Sequence, residues 1–177
     1  ETAHQTPRIA ITTATAAQAR TPPVIDGSDA DAVWKEAEPI TDFRVFEPVE
    51  DGDPRYRTEV RVANDAAYIY VFARAFDPHP DSIISLLSRR DIKTQSDQIK
   101  LMIDSYHDRR TGYEFAVNPA GVKRDYYMYD DVNEDGSWDA VWDVATRIDS
   151  LGWTAEFRIP LSQLRYPTAA SNTFGLM

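Results

Sequence analysis

The chain contains no cysteine, which excludes a disulfide framework, a thiolate metal site and a cysteine nucleophile, and leaves the redox compartment open on composition. Histidine is scarce: His4, His79 and His107 are scattered, the first near the start and the second between prolines. That distribution supports neither a zinc triad nor a Ser-His-Asp arrangement. Haem ligation would fall to Met102 or His107, with no motif around either. No run of about 18 apolar residues is present, so nothing here reads as a membrane-spanning helix. The start also lacks the basic-then-apolar layout of a signal peptide, although a start exposed by cleavage would read the same way. Basic charge is short as well, with 19 Lys and Arg against 29 Asp and Glu and a formal net charge of −10. Such a surface repels phosphate backbones, which argues against nucleic-acid binding, and favours solubility and divalent cations.

What is present suffices for one ordinary domain. Apolar residues make up 42% and aromatics 11% of 177 residues, enough to offset the ordering entropy of a single core. Residues Glu1 to Arg20 are Thr/Ala/Gln-rich and read as a tail, with Ile9 and Ile11 able to form a short peripheral strand. Pro22 and Pro23 stiffen the entry, Val24 and Ile25 can start a strand, and Asp26-Gly27 supplies turn chemistry. The expected division is therefore a tail over 1–21 and one module over 22–177. Val33 and Trp34 fall on a short helix near residues 30–37, with the indole expected to plug one end of the core.

Period two dominates the remainder. Val60 and Val62 alternate with polar neighbours, Asn64-Asp65 makes a turn, and Tyr68 to Phe76 is apolar on both faces, as a central strand would be. These two segments read as a hairpin. Ile99, Leu101 and Ile103 form another alternating set; Tyr113, Phe115 and Val117 the next; Val122 to Tyr129 and Trp153 to Ile159 two more. Short strands joined by polar loops predict an all-β, antiparallel, jelly-roll-like β-sandwich with one short helix. Phe174 to Met177 reads as the opening of a further strand, so the expectation is a piece of a longer polypeptide.

One loop carries metal-like spacing. Asp131, Asn133, Asp135, Ser137 and Asp139 offer oxygens at alternate positions, with Gly136 at the sixth place, which matches the start of a calcium loop. Trp142 stands where the bidentate glutamate belongs, and a plain acidic turn between strands uses the same residues. Both readings stay open. Trp138 and Trp142 bracket Asp139 at strand spacing and suit core packing, whereas Tyr126, Tyr127, Tyr129 or Trp138 could offer a stacking platform to a ligand. Arg89-Arg90-Asp91 and Asp108-Arg109-Arg110 are charge clusters suited to cross-loop ion pairs or docking. With 29 acids, a carboxylate pair at glycosidase spacing arises by chance, and no motif with a catalytic mechanism is present.

Taken together, Val24-Ile25-Asp26-Gly27 with Asp31-Ala32-Val33-Trp34, Thr58 to Val62 with Ala67 to Val71, Ser96-Asp97 through Ile103-Asp104, Gly112 to Phe115 with Asn118 to Gly121, Trp138 to Trp142 and Gly152 to Pro160 resemble the family-9 carbohydrate-binding modules. The likeness is strongest to a branch that forms the N-terminal part of large outer-membrane proteins of Gram-negative bacteria, ahead of a C-terminal domain of unknown function. It covers about residues 22–177 and implies a β-sandwich, export to the periplasm, outer membrane or cell surface, and non-catalytic sugar binding. In sugar-binding members two tryptophans clamp a terminal sugar. Thr94 stands at the first of those positions, Lys100 and Ala116 correspond to the acidic and arginine partners, and the second tryptophan would fall near or beyond Met177. The expected function is recognition of a glycan or cell-envelope polymer, with calcium as a possible structural ion. The rivals are a structural module that docks onto the C-terminal region of its own chain without a small ligand, and a part of a glycoside-processing enzyme.

Overall fold

The computed structural model describes residues 13–130 and 133–177. Ten strands form two five-stranded sheets. Strands β1 (Ala17–Gln18), β2 (Thr58–Asn64), β3 (Tyr68–Phe76), β8 (Asp143–Asp149) and β9 (Gly152–Pro160) make the first, in the order β1-β2-β3-β9-β8. The second runs β10-β4-β5-β6-β7, from β4 (Ile99–Asp104), β5 (Gly112–Val117), β6 (Lys123–Tyr129), β7 (Asn133–Asp135) and β10 (Gly175–Leu176). All pairings are antiparallel except the edge contact of β1 with β2. No helix among the described residues is long and apolar enough to cross a membrane.

Alternation sorts each strand between two surroundings. From β3, Ile69 and Val71 meet Phe157 and Ile159 of β9 and Leu101, Ile103, Tyr113, Phe115 and Val117 of the facing sheet in the main core. The intervening Tyr70 and Phe72 point the other way, into a second cluster with Ala19, Val33, Trp34, Ala37 and Ala63. This explains why β3 is apolar on both faces: the sandwich covers one face, and helix α1 (Ala32–Glu36) with the segment before it covers the other. Trp34, 1% exposed, therefore seals the outer side of the first sheet and does not plug one end of the main core. Its ring lies 5.7 Å from that of Phe72.

Glu156 pins this outer layer. The fully buried carboxylate accepts hydrogen bonds from Asp26 N at 2.9 Å, Gly27 N at 2.8 Å and Trp34 Nε1 at 2.8 Å. Burial pushes its pKa up, against the lowering effect of the Trp34, Asp26 and Gly27 donors. Thr154 Oγ1 donates to Gly27 O, and Arg61 closes the far end of α1 by donating to the Trp34 and Ala37 carbonyls. Asp65 shapes the β2–β3 turn by accepting from Ala67 N, Tyr68 N and Tyr70 Oη; burial would raise its pKa, but these donors hold it low.

The hairpin and the strands at 99–103, 113–117, 122–129 and 153–159 stand where alternation puts them, and a short strand forms at Gly175–Leu176 within the segment read as a strand opening. Differences fall at the edges. Val24 and Ile25 form no strand; their backbone is drawn out over the sheet toward Asp31, whose carboxylate accepts from Val24 N. Instead β1 arises inside the segment read as a tail, and Ala19 beside it is only 4% exposed. The Ile9 and Ile11 expectation lies outside the described residues.

Candidate functional site

The outer face of the first sheet is covered at its centre by α1 and the segment before it, and the outer face of the second has no such layer among the described residues. Pairing Lys100 with Ala116 and Arg124, and Met102 with Glu114 and Tyr126, places these six side chains on that face. Glu114, Arg124 and Tyr126 are nevertheless 3%, 7% and 8% exposed. Lys100 Nζ sits 3.2 Å from Glu114 Oε1, close enough for an ion pair, although that oxygen has no aligned hydrogen bond. Arg124 donates through Nη1 to Gln98 Oε1 at 3.2 Å and through Nε and Nη2 to Tyr126 Oη at 3.3 and 3.1 Å.

A long loop from Ile83 to Gln98 walls this face. Ile84 and Asp97 bond reciprocally, since Ile84 N donates to the Asp97 carboxylate and Asp97 N to Ile84 O. Asn118, buried at the end of β5, donates through its side chain to Leu86 O at 2.7 Å. Asp91 N donates to Lys123 O, and its carboxylate accepts from Asp125 N, so the loop runs along the start of β6, which β7 leaves unpaired. Between loop and sheet lies a small hollow lined by Ile92, Thr94, Ser96, Gln98, Ala116 and Arg124, among others. It has room for about one water molecule. Thr94 and Ala116, the two neutral residues expected at the resemblance's sugar-contacting positions, share this hollow, and Lys100 stands opposite Ala116 in register.

The predicted stacking residues separate. Tyr126 faces outward opposite Glu114, whereas Tyr127 faces inward opposite Tyr113 and packs on the main core, so adjacent tyrosines cannot share one platform. Tyr129 stacks on Tyr127 with ring centres 6.5 Å apart. Trp138 packs against the core, 4.9 Å from the Tyr113 ring and 5.7 Å from Phe115. Trp142 is buried and stacked on Phe157. All four tryptophans, at 34, 138, 142 and 153, are thus built into one or other apolar cluster.

The acidic loop shows short local bonds. Asn133, Glu134 and Asp135 form β7, Asp135 accepts from Ser137 N and Oγ, and Asp139 pairs with Arg90 at 2.7 Å. Asp131 lies outside the described residues. Among the described residues no three acidic or histidine side chains gather as a metal site, and the oxygens of Asp135 and Asp139 are drawn to different partners. Arg90 also reaches the buried Asp125, which accepts from Ala140 N and Trp142 Nε1. Cross-loop ion pairing thus accounts for Arg90 of the Arg89-Arg90-Asp91 cluster.

Glu114, Arg124 and Gln98 were not singled out from sequence. For Glu114 and Arg124 the sequence shows only a charge alternating with apolar strand residues, as at Glu114 between Tyr113 and Phe115, and Gln98, neutral and ahead of β4, carries no such signal.

Comparison with known proteins places this geometry. No curated protein matches the chain. Among solved structures, a family-9 carbohydrate-binding module from Caldicellulosiruptor kristjanssonii in complex with glucose aligns with 22% identity and a TM-score of 0.61, over 90% of this chain and 73% of that one. The same organism's module in complex with cellotriose gives 20% identity, a TM-score of 0.61, and coverage of 92% and 74%. A protein from Bacteroides uniformis gives 12% identity and a TM-score of 0.65, over 91% and 79%. At these identities the likeness is one of fold. The family model described as carbohydrate family 9 binding domain-like matches residues 25–177, and the chain belongs to that family.

Proposed function

We propose that the chain is a non-catalytic glycan-recognition module of an exported or outer-membrane protein, binding a saccharide on the outer face of β4, β5 and β6. Family membership supports sugar recognition. The observation that carries the site is the set of polar side chains, Gln98, Lys100, Glu114 and Arg124, held on a face that no second layer of sheet covers. Because every indole is committed to packing, recognition would rest on hydrogen bonds and charge in place of tryptophan stacking. Localisation at the periplasm, outer membrane or cell surface rests on the sequence resemblance. Calorimetric titration with a panel of bacterial and plant glycans tests the reading: heat with at least one saccharide supports it, and its loss in Gln98→Ala places the site.

A second reading is favoured by a different observation. Ile84, Leu86, Leu87 and Ile92 are exposed together on the 83–98 loop, Leu87 at 85%, and such clustering suits a docking surface for another part of the same polypeptide. No heat with any saccharide, together with protection of Leu87 in a longer version of the chain, would favour docking.

A further inference from the structure

The hollow beside Arg124 carries more than general polarity. Of the side chains lining it, only Arg124 is charged; the rest are apolar or bear a hydroxyl or amide, including Thr94, Ser96, Gln98 and Asn118. Arg124 is 7% exposed and has no carboxylate within ion-pair distance among the described residues. Nearby charges are already matched, since Lys100 pairs with Glu114 and Lys93 with Glu134. A guanidinium has five N–H donors, and Arg124 uses three in bonds to Gln98 and Tyr126. A buried cation without a counter-ion is costly, and the cost falls when an anion completes the pair. The hollow is too small for a pyranose but has room for about one water-sized group, such as a single oxygen.

We propose that this site takes the carboxylate of an acidic sugar, one carboxylate oxygen entering the hollow to accept from the Arg124 guanidinium while the other oxygen and the ring lie outside it against Gln98 and Lys100. The inference rests on the glycan-recognition reading and narrows its ligand to uronate-type saccharides. Charge-assisted hydrogen bonds are roughly twice as strong as neutral ones, and here they replace the apolar stacking that no tryptophan of this chain supplies. The overall charge of −10 does not oppose this, because charges beyond about 10 Å are largely screened at physiological salt.

The test compares methyl glucuronoside, its methyl ester, methyl glucoside and acetate by calorimetry on the intact protein, and repeats the series on Arg124→Gln. The free acid is expected to bind roughly tenfold more tightly than the ester or the glucoside, as for one charge-assisted pair. Arg124→Gln should erase that preference. The acid-to-ester comparison needs no variant, so it decides even if Arg124→Gln fails to fold. Equal binding of acid and ester overturns the carboxylate assignment while leaving sugar recognition intact. Acetate as tight as the glucuronoside overturns the sugar assignment of the ligand. Binding of no saccharide at all overturns the underlying reading as well.

Discussion

Removing the Glu156 carboxylate should release the layer that covers the first sheet. In Glu156→Ala the backbone N–H of Gly27 and the indole N–H of Trp34 lose their acceptor inside the protein, whereas Asp26 N lies near enough to the surface to turn to water. Each orphaned buried donor costs about 1–3 kcal/mol. Against this, a buried ionised carboxylate carries its own desolvation cost, which is why burial raises the Glu156 pKa. The balance is a loss of about 2–4 kcal/mol for Glu156→Ala. Glu156→Gln keeps the shape and can still offer a carbonyl to the two backbone donors, but its amide then faces the indole N–H; one unsatisfied donor costs about 1–3 kcal/mol. The pH sign is fixed by the raised value. Between the ordinary carboxylate value of 4.5 and the higher folded one, the native state holds the proton that the unfolded chain has released. Stability from this group is therefore fully present below the ordinary value and lost as pH rises through the folded one. The advantage of wild type over Glu156→Gln should narrow in the same direction. Urea unfolding followed by far-ultraviolet circular dichroism, at pH values below and above that window, measures both effects. If Glu156→Ala unfolds within about 0.5 kcal/mol of wild type, the range of an indifferent surface change, the carboxylate does not anchor the layer.

Two further expectations concern the β8–β9 hairpin and the acidic loop. Gly152 has φ +135° and a Cβ there would come 2.1 Å from Ala75 O and 2.7 Å from Asp77 N, so Gly152→Ala should cost more than about 3 kcal/mol or prevent folding; a thermal midpoint within a few degrees of wild type would contradict this. Since Asp135 and Asp139 are engaged by Ser137 and Arg90, a chelator should leave the thermal midpoint unchanged; a rise on adding calcium would show that the loop, including Asp131, rearranges around an ion.

Strand pattern in this sequence was legible because a side-chain period of two, set against a buried face, leaves little freedom. Tyr68 to Phe76 shows how far that goes: its apolar residues on both faces announced a central strand, but not that one of the two covers would be a five-residue helix. Edge strands were less legible. Ala17–Gln18 and Asn133–Asp135 carry no alternation of apolar residues, and their pairing comes from backbone hydrogen bonds that any sequence can offer. At the candidate site, Thr94, Lys100 and Ala116 were found through resemblance, whereas Glu114 and Arg124 read as ordinary solvent-facing charges of alternating strands, because their burial depends on the 83–98 loop beside that face. At Trp138 and Trp142 the expected core packing holds, since both indoles pack inward, although their segment is not a strand.

The placement of the indoles has a practical outcome. Trp142 and Trp153 report from between the sheets, Trp34 from beneath α1 and the half-buried Trp138 from the margin of the core, so the intrinsic fluorescence of this protein follows unfolding, and no indole stands on the β4–β6 outer face. A flat emission titration with a saccharide would therefore not count against binding there, and an emission change would signal a change around the half-buried Trp138 or in the packing that the other indoles occupy.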